Sequence, residues 1–323
     1  MDGKSVSSLP GGEEMDAYEG LRPLMFSIAY RMLGDVGDAE DVVQEAYLRL
    51  HRTLAQGAAI ESPKAFLTTV TTRLAIDAWR AARVRRETYV GVWLPEPLQA
   101  STDVGPAEQV ELKDSLSLAF LVLLQTLSPV ERAVFLLRDI FDYDYDQIAA
   151  IVQKSEDNCR QILARARKRI DAGKLRFDAD QSEQRQLAAS FFGAADRGDM
   201  AGLVNFLAKD AVFYGDGGGK AHAYRHPLVG DNRVALAVRS IFKTAHDFNI
   251  TFQFLYINGQ PGALSFDAEG RVVNMLVLDI AGGVIQAVRS IVNPDKLTRL
   301  GYPVSDMARI KATNKPEEPT AGA

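Results

Sequence analysis

Cysteine is almost absent from this chain: of 323 residues only Cys159 carries a thiol. An intramolecular disulfide framework and a multi-cysteine zinc site are both excluded. Histidine is scarce too, four in all, and the four are scattered rather than read as a metal set. Long hydrophobic runs are missing. The longest apolar stretch, residues 116–127, is interrupted by Ser117 and Gln125, so no membrane span is expected. Residues 1–16 are short, polar and acidic, unlike the apolar core of a secretory signal. What remains is ordinary globular composition, 47% hydrophobic and 24% charged, which argues against global disorder. The length suits two domains, or three. A cytoplasmic, metal-free protein without cofactor is expected.

The net charge of −5 speaks at first against a nucleic-acid partner, but its distribution changes that view. From Ala179 onward acids and bases balance, so the whole deficit lies in residues 1–178. There the signs are segregated. Acids cluster at Asp35, Asp38, Glu40, Asp41 and Glu45, and again at Asp139, Asp142, Asp144 and Asp146. Bases cluster at Arg80, Arg83, Arg85 and Arg86, then at Arg160, Arg165, Arg167, Lys168, Arg169, Lys174 and Arg176. Separate acidic and basic faces can hold a basic protein on one side and phosphates on the other. Solvated helix faces give the same pattern, so the motifs must decide.

Residues 1–17 read as a disordered lead. Helical periodicity runs from about Tyr18 to Arg86. Val36, Ala39, Val42, Val43, Ala46, Tyr47 and Leu50 share one face, with Asp38 as the expected N-cap. Ser62-Pro63 opens a second helix through Phe66, Val70, Leu74 and Trp79. Prolines and glycines then make residues 89–113 a linker, and its apolar stretch Trp93-Leu94-Pro95-Glu96-Pro97 suggests that it docks on something. Helix resumes at Asp114. Ser128-Pro129-Val130-Glu131 is a capping box with proline at the first helical position, and that helix should reach about Ile140. Asp144 or Asp146 starts a short helix, Gln153-Lys154 turns, and Ser155 caps a long helix to about Ile170. Two helices on a tight turn, the second basic, form a helix-turn-helix. Beyond residue 178 the pattern gives helices over 183–197, 200–209 and 232–245. Strands are expected over 211–214, 250–257, 263–266, 272–280 and 284–292, the last two as a hairpin across Ala281-Gly282-Gly283. Helices followed by antiparallel strands make a separate α+β domain. The tail from Lys311 reads as disordered.

Asp38-Ala39-Glu40-Asp41-Val42-Val43-Gln44-Glu45-Ala46-Tyr47 resembles region 2.2 of bacterial extracytoplasmic-function sigma factors. Residues 62–86 resemble regions 2.3 and 2.4, and residues 127–169 resemble region 4. The order and separation of the segments make the resemblance specific over residues 18–172. It implies two all-α domains, region 2 over 18–88 and region 4 over 114–176. It also implies core RNA polymerase as partner, through the β′ clamp helices and the β flap, with promoter DNA as ligand. By family position Asp38, Glu40, Asp41, Gln44 and Glu45 would face the polymerase. Thr72, Arg73, Asp77, Arg80 and Arg83 would meet the −10 element, where single-stranded bases need stacking and positive grooves. Asn158, Arg160, Gln161, Arg165 and Lys168 would meet the −35 element. Arginine and glutamine can read base edges there, while Arg167 and Lys168 suit phosphates. Trp79 stays open between core packing and base contact. Cys159 reads as a buried helix residue. Arg73 and Asp77 stand where amides are frequent in relatives, so promoter sequence does not carry over.

Residues 182–297 resemble a SnoaL-like domain of the NTF2-like class, a curved sheet and helices forming a conical pocket, with residues 298–323 as a tail. Three segments resemble signatures of the sigma subgroup that carries such an extension: Trp93-Leu94-Pro95-Glu96-Pro97, Asp216-Gly217-Gly218-Gly219-Lys220 and Asn293-Pro294-Asp295-Lys296-Leu297. The resemblance implies regulation in cis without a separate anti-sigma protein. Trp93, Leu94 and Pro95 would dock against Asp216, Gly217, Gly218, Gly219, Lys220, Asn293, Pro294, Asp295 and Lys296. The sign of control stays open, and a plain hairpin connection is the simpler reading of the glycines. An enzymatic extension would use Asp216, His222, Tyr224, His226 or Asp279 as acid or base, but nothing in their spacing commits them to one site. A small-molecule sensor pocket is a further alternative. A DNA-binding repressor would leave the acidic helix at 38–45 without a role.

Overall fold

The computed structural model describes residues 19–98, 116–173 and 181–306. The expected lead, the helix start at Asp114, Lys174, Arg176 and the tail from Lys311 lie outside them. Two compact units result. One joins the chain up to Arg85 with Leu123–Gly173, and the other joins Arg86–Val122 with everything from Lys174 onward.

In the first unit, α1 (Arg22–Leu33) ends at Gly34, whose left-handed backbone sends its N–H to Tyr30 O. That stop leaves Asp35 extended, and its carboxylate accepts the Asp38 N–H at 2.8 Å to start α2 (Val36–Ala55). The cap therefore lies three residues before the expected Asp38, because a glycine stop fixes where the next helix can begin. α2 buries Ala39, Val42, Val43, Ala46 and Leu50, the face anticipated from periodicity. α3 (Pro63–Glu87) opens at Ser62, whose hydroxyl accepts the Ala65 N–H. After α4 (Leu118–Leu124), α5 (Pro129–Phe135) begins with the Ser128–Glu131 capping box and continues as a π-helical turn, Leu136–Ile140. α6 (Tyr145–Val152) starts at Asp144, and Gln153, left-handed at φ 55°, turns the chain into α7 (Glu156–Gly173). Cys159 is fully buried.

In the second unit, α8 (Gln181–Asp196), α9 (Met200–Phe206) and α10 (Asp231–Asp247) accompany a six-stranded sheet. Its strands are β1 (Leu207–Asp216), β2 (Leu228–Val229), β3 (Thr251–Ile257), β4 (Gln260–Phe266), β5 (Val272–Ala281) and β6 (Val284–Ile291), in the order β2-β1-β6-β5-β4-β3. The sheet is mixed rather than purely antiparallel, since β1 and β6 run parallel. The helix expected through Lys209 stops at Phe206. Leu207 instead pairs with Ile285 and is buried, and sheet pairing overrides the helical propensity of Leu-Ala-Lys. Asn258-Gly259, both at positive φ, close the two-residue turn between β3 and β4, a hairpin legible in the sequence but not anticipated. The β5–β6 hairpin forms as expected.

One face of this sheet packs Phe213, Ala263, Leu276, Leu278 and Val288 against Phe191, Phe192, Val234, Val238 and Phe242 of the helices. The alternate positions carry Asp216, Gln260, Asp279 and Arg289, polar yet buried. Strand alternation thus gives the sheet one apolar and one polar buried face.

Candidate functional sites

The acidic residues singled out in α2 share its surface. Asp41 and Gln44 are exposed, and Asp38, Glu40 and Glu45 are half-buried. Asp38 pairs with Arg85 and Glu40 with Arg22. Glu45 accepts from Arg49 at 2.9 Å.

The residues singled out on α3 divide. Thr72 is buried, as is Thr71. Arg73 reaches the last turn of α6, its Nε donating to Ile151 O and its Nη2 to Ala150 O, both at 2.9 Å. A cation there meets the unsatisfied carbonyls and negative end of a helix. Next to it Thr68 and Tyr143 share a hydroxyl–hydroxyl bond of 2.8 Å. Arg132 is buried, donates to Met32 O and Leu124 O, and lies 5.4 Å over the Trp79 ring. Trp79, 7% exposed, is thereby a core residue. Asp77, Arg80 and Arg83 remain exposed, the first two paired with each other at 2.9 Å.

All five residues singled out on α7, Asn158, Arg160, Gln161, Arg165 and Lys168, are exposed, while Cys159, Ile162, Leu163 and Ala166 face the core. Arg160 is held by Glu156 and Asp157. Arg167 is not open as a phosphate group would require: its Nε and Nη2 grip Asp139 at 2.9 and 2.7 Å.

The linker segment docks on the polar face of the sheet, and Asp216 is its anchor. One carboxylate oxygen accepts from the Tyr89 hydroxyl at 2.5 Å. The other accepts the Leu94 N–H at 2.8 Å and the Lys296 ammonium at 2.6 Å. Lys296 also donates to Leu94 O and lies 4.4 Å over the Trp93 ring, whose centroid Arg86 approaches to 3.6 Å. Asn293 caps α11 (Pro294–Leu297) and donates to the Tyr89 hydroxyl at 2.8 Å. Burial, opposed by Asp216, lowers the Lys296 pKa. Burial and the neighbouring Asp216 carboxylate raise that of Tyr89. Lys220 pairs with Asp295. A second attachment follows: Leu98 and Asn258 exchange bonds of 2.7 and 3.1 Å. Leu118 N–H donates to Gln260, which donates to Asp279, itself gripped by Arg289. Tyr89, Asn258 and Gln260 were not anticipated. Only the Asn-Gly turn hinted at one of them.

The glycines are spacers for this docking. A Cβ on Gly218, at φ +59°, would lie 2.4 Å from Asn293 Nδ2 and 3.1 Å from the Tyr89 hydroxyl. Gly218→Val is expected to displace Tyr89 and expose Trp93. A red shift of tryptophan emission with unchanged far-ultraviolet circular dichroism would show it, and an unshifted spectrum would contradict the spacer role.

The acid–base candidates are not brought together. Asp216 holds the linker, and Asp279 is paired with Arg289. His222 and Tyr224 line a separate cavity, and His226 lies outside it.

Residues 17–85 match the Sigma-70 region 2 family and residues 117–170 the Sigma-70 region 4 family. The chain is 33% identical to the ECF RNA polymerase sigma factor SigJ of Mycobacterium tuberculosis, covering 91% of this chain and 95% of that one. It is an extracytoplasmic-function sigma factor. Identity to the probable ECF sigma factor SigI of the same species is 32%, over 88% of this chain and 94% of that protein. The crystal structure of M. tuberculosis SigJ superposes with a TM-score of 0.69 at 30% identity, covering 90% of this sigma factor and all of that chain. The similarity runs through the NTF2-like extension as well as the two sigma regions. No helix among the described residues of this sigma factor is long and apolar enough to cross a membrane.

Proposed function

We propose that this sigma factor binds core RNA polymerase through Asp38, Glu40, Asp41, Gln44 and Glu45 of α2. It meets the −10 element with Thr72, Arg73, Asp77, Arg80 and Arg83, and the −35 element with Asn158, Arg160, Gln161, Arg165 and Lys168. Its extension regulates it in cis, without chemistry and in place of a separate anti-sigma protein. The observation that carries the regulatory reading is the Asp216 anchor, which takes the linker's Tyr89 and Leu94 together with Lys296. A tethered linker has a fixed reach, and reach sets the effective concentration of two DNA-reading regions that must engage one promoter. The engagement of Thr72 and Arg73 within the first unit fits a resting state, since Arg73 cannot hold Ile151 O and a base at once. Lack of a carboxylate in the cavity supports a non-enzymatic extension.

Run-off transcription with bacterial core polymerase, from the DNA upstream of this protein's own gene, tests the reading. The full chain is compared with its Gly218→Val variant. More transcript from the variant marks the docked linker as a brake, and less marks it as a required scaffold. Equal transcript from both sinks regulation by docking. No transcript from either, with a working control promoter, removes the promoter assignment.

A further inference from the structure

Between α10 and the apolar face of the sheet lies a cavity of about 200 Å³. Its walls are Phe213, Ile241, Phe252 and Val292, with His222 and Tyr224 at the exposed rim. No Asp, Glu, Lys or Arg lines it. Its floor is polar in one place, where Ser265, Asn274 and Ser290 meet, each 3–6% exposed. Ser265 donates to Asn274 O, and Ser290 donates to Asn274 Oδ1 at 3.1 Å. Asn274 therefore only accepts: among the described residues its amide Nδ2 donates to no protein group. A buried donor left unmade is costly, and this one borders a space larger than the roughly 150 Å³ apolar cavity that admits benzene.

We propose that this cavity binds a compact, uncharged ring compound bearing a carbonyl, whose oxygen accepts from Asn274 Nδ2, and that its occupancy tightens linker docking. The second part rests on the regulatory reading above. Gly215 and Val292 line the cavity, and the next residue of each strand belongs to the anchor: Asp216 and Asn293. The Val292 and Asn293 N–H groups both donate to Asp216 O, at 2.9 and 3.0 Å. A ligand that orders these two strand ends orders the anchor with them. Apolar walls without a counter-ion exclude a charged ligand.

Acetophenone is the probe, with ethylbenzene as its counterpart lacking the acceptor and benzoate as the charged one. In solution titrations of the full chain followed by nuclear magnetic resonance, acetophenone should shift the Asn274 side-chain amide. It should bind about ten-fold more tightly than ethylbenzene, as one buried hydrogen bond implies, with benzoate silent. Asn274→Leu should abolish the preference for the ketone. Ser240→Phe, an exposed change at the cavity wall, should block both neutral probes and leave the fold intact. Saturating acetophenone should slow amide exchange at Leu94. Equal affinity for the two neutral probes, or no binding by either, overturns the site. Binding at Asn274 with unchanged exchange at Leu94 overturns the coupling alone. If instead Gly218→Val leaves transcription unaltered, the regulatory reading falls while the cavity result stands.

Discussion

Asp216→Ala is expected to release residues 89–98 from the extension. The change strips the Leu94 N–H and the Tyr89 hydroxyl of their acceptor and leaves the Lys296 ammonium, 3% exposed, without its carboxylate. Breaking a buried ion pair by removing one partner costs about 3–5 kcal/mol, equivalent to roughly two to three orders of magnitude in a local opening equilibrium. Amide exchange at Leu94 should accelerate by about that factor, while amides in the sheet, such as Leu276, keep their protection. Protection at Leu94 unchanged within about ten-fold would show that the apolar contacts of Trp93 and Leu94 suffice. A double change, Asp216→Asn with Lys296→Met, removes both charges and keeps an acceptor for Leu94. It should lose less than Asp216→Ala, because replacing a buried pair spares the unpaired charge.

Arg132→Ala should destabilise the helical unit most. Its guanidinium is 1% exposed, donates to Met32 O and Leu124 O and covers the Trp79 ring. Truncation leaves two buried carbonyls without these charge-assisted bonds and opens a void beside the indole. Hydrogen bonds to charged groups contribute about 1.5–3 kcal/mol each, but such contributions are not additive, and a total loss of about 3–5 kcal/mol is expected. The thermal transition of that unit should fall on the order of 10 °C, read by near-ultraviolet dichroism of Trp79. Arg132→Lys should recover only part of it, since an ammonium cannot span both carbonyls in the planar fork of arginine. A loss below about 0.5 kcal/mol would show that water replaces the guanidinium.

Much of this was legible in the sequence because it depends on neighbours in the chain. The apolar face of α2, the capping box at Ser128, the turn at Gln153 and the β5–β6 hairpin follow from periodicity, caps and glycine, which act over a few residues. So does the burial of Cys159, which keeps step with Ile162, Leu163 and Ala166. The family resemblance located Asp216, Asn293 and Lys296 as one group although 80 residues separate the ends of that set. Other features required the folded chain. Leu207 became strand because Ile285 offered a parallel partner, and no local pattern records a partner so distant. Arg73, a candidate for DNA on its residue type, spends its donors on the end of α6, and Arg167 spends its own on Asp139. Trp79 was settled as core only by Arg132 lying over its ring. Asp279 ceased to be an acid–base candidate once Arg289 and Gln260 had filled its lone pairs. Sequence sets which groups can ionise, donate or accept. Which of them are already satisfied, and which, like the Asn274 amide, are left facing a cavity, is decided only when distant segments compete for the same donors.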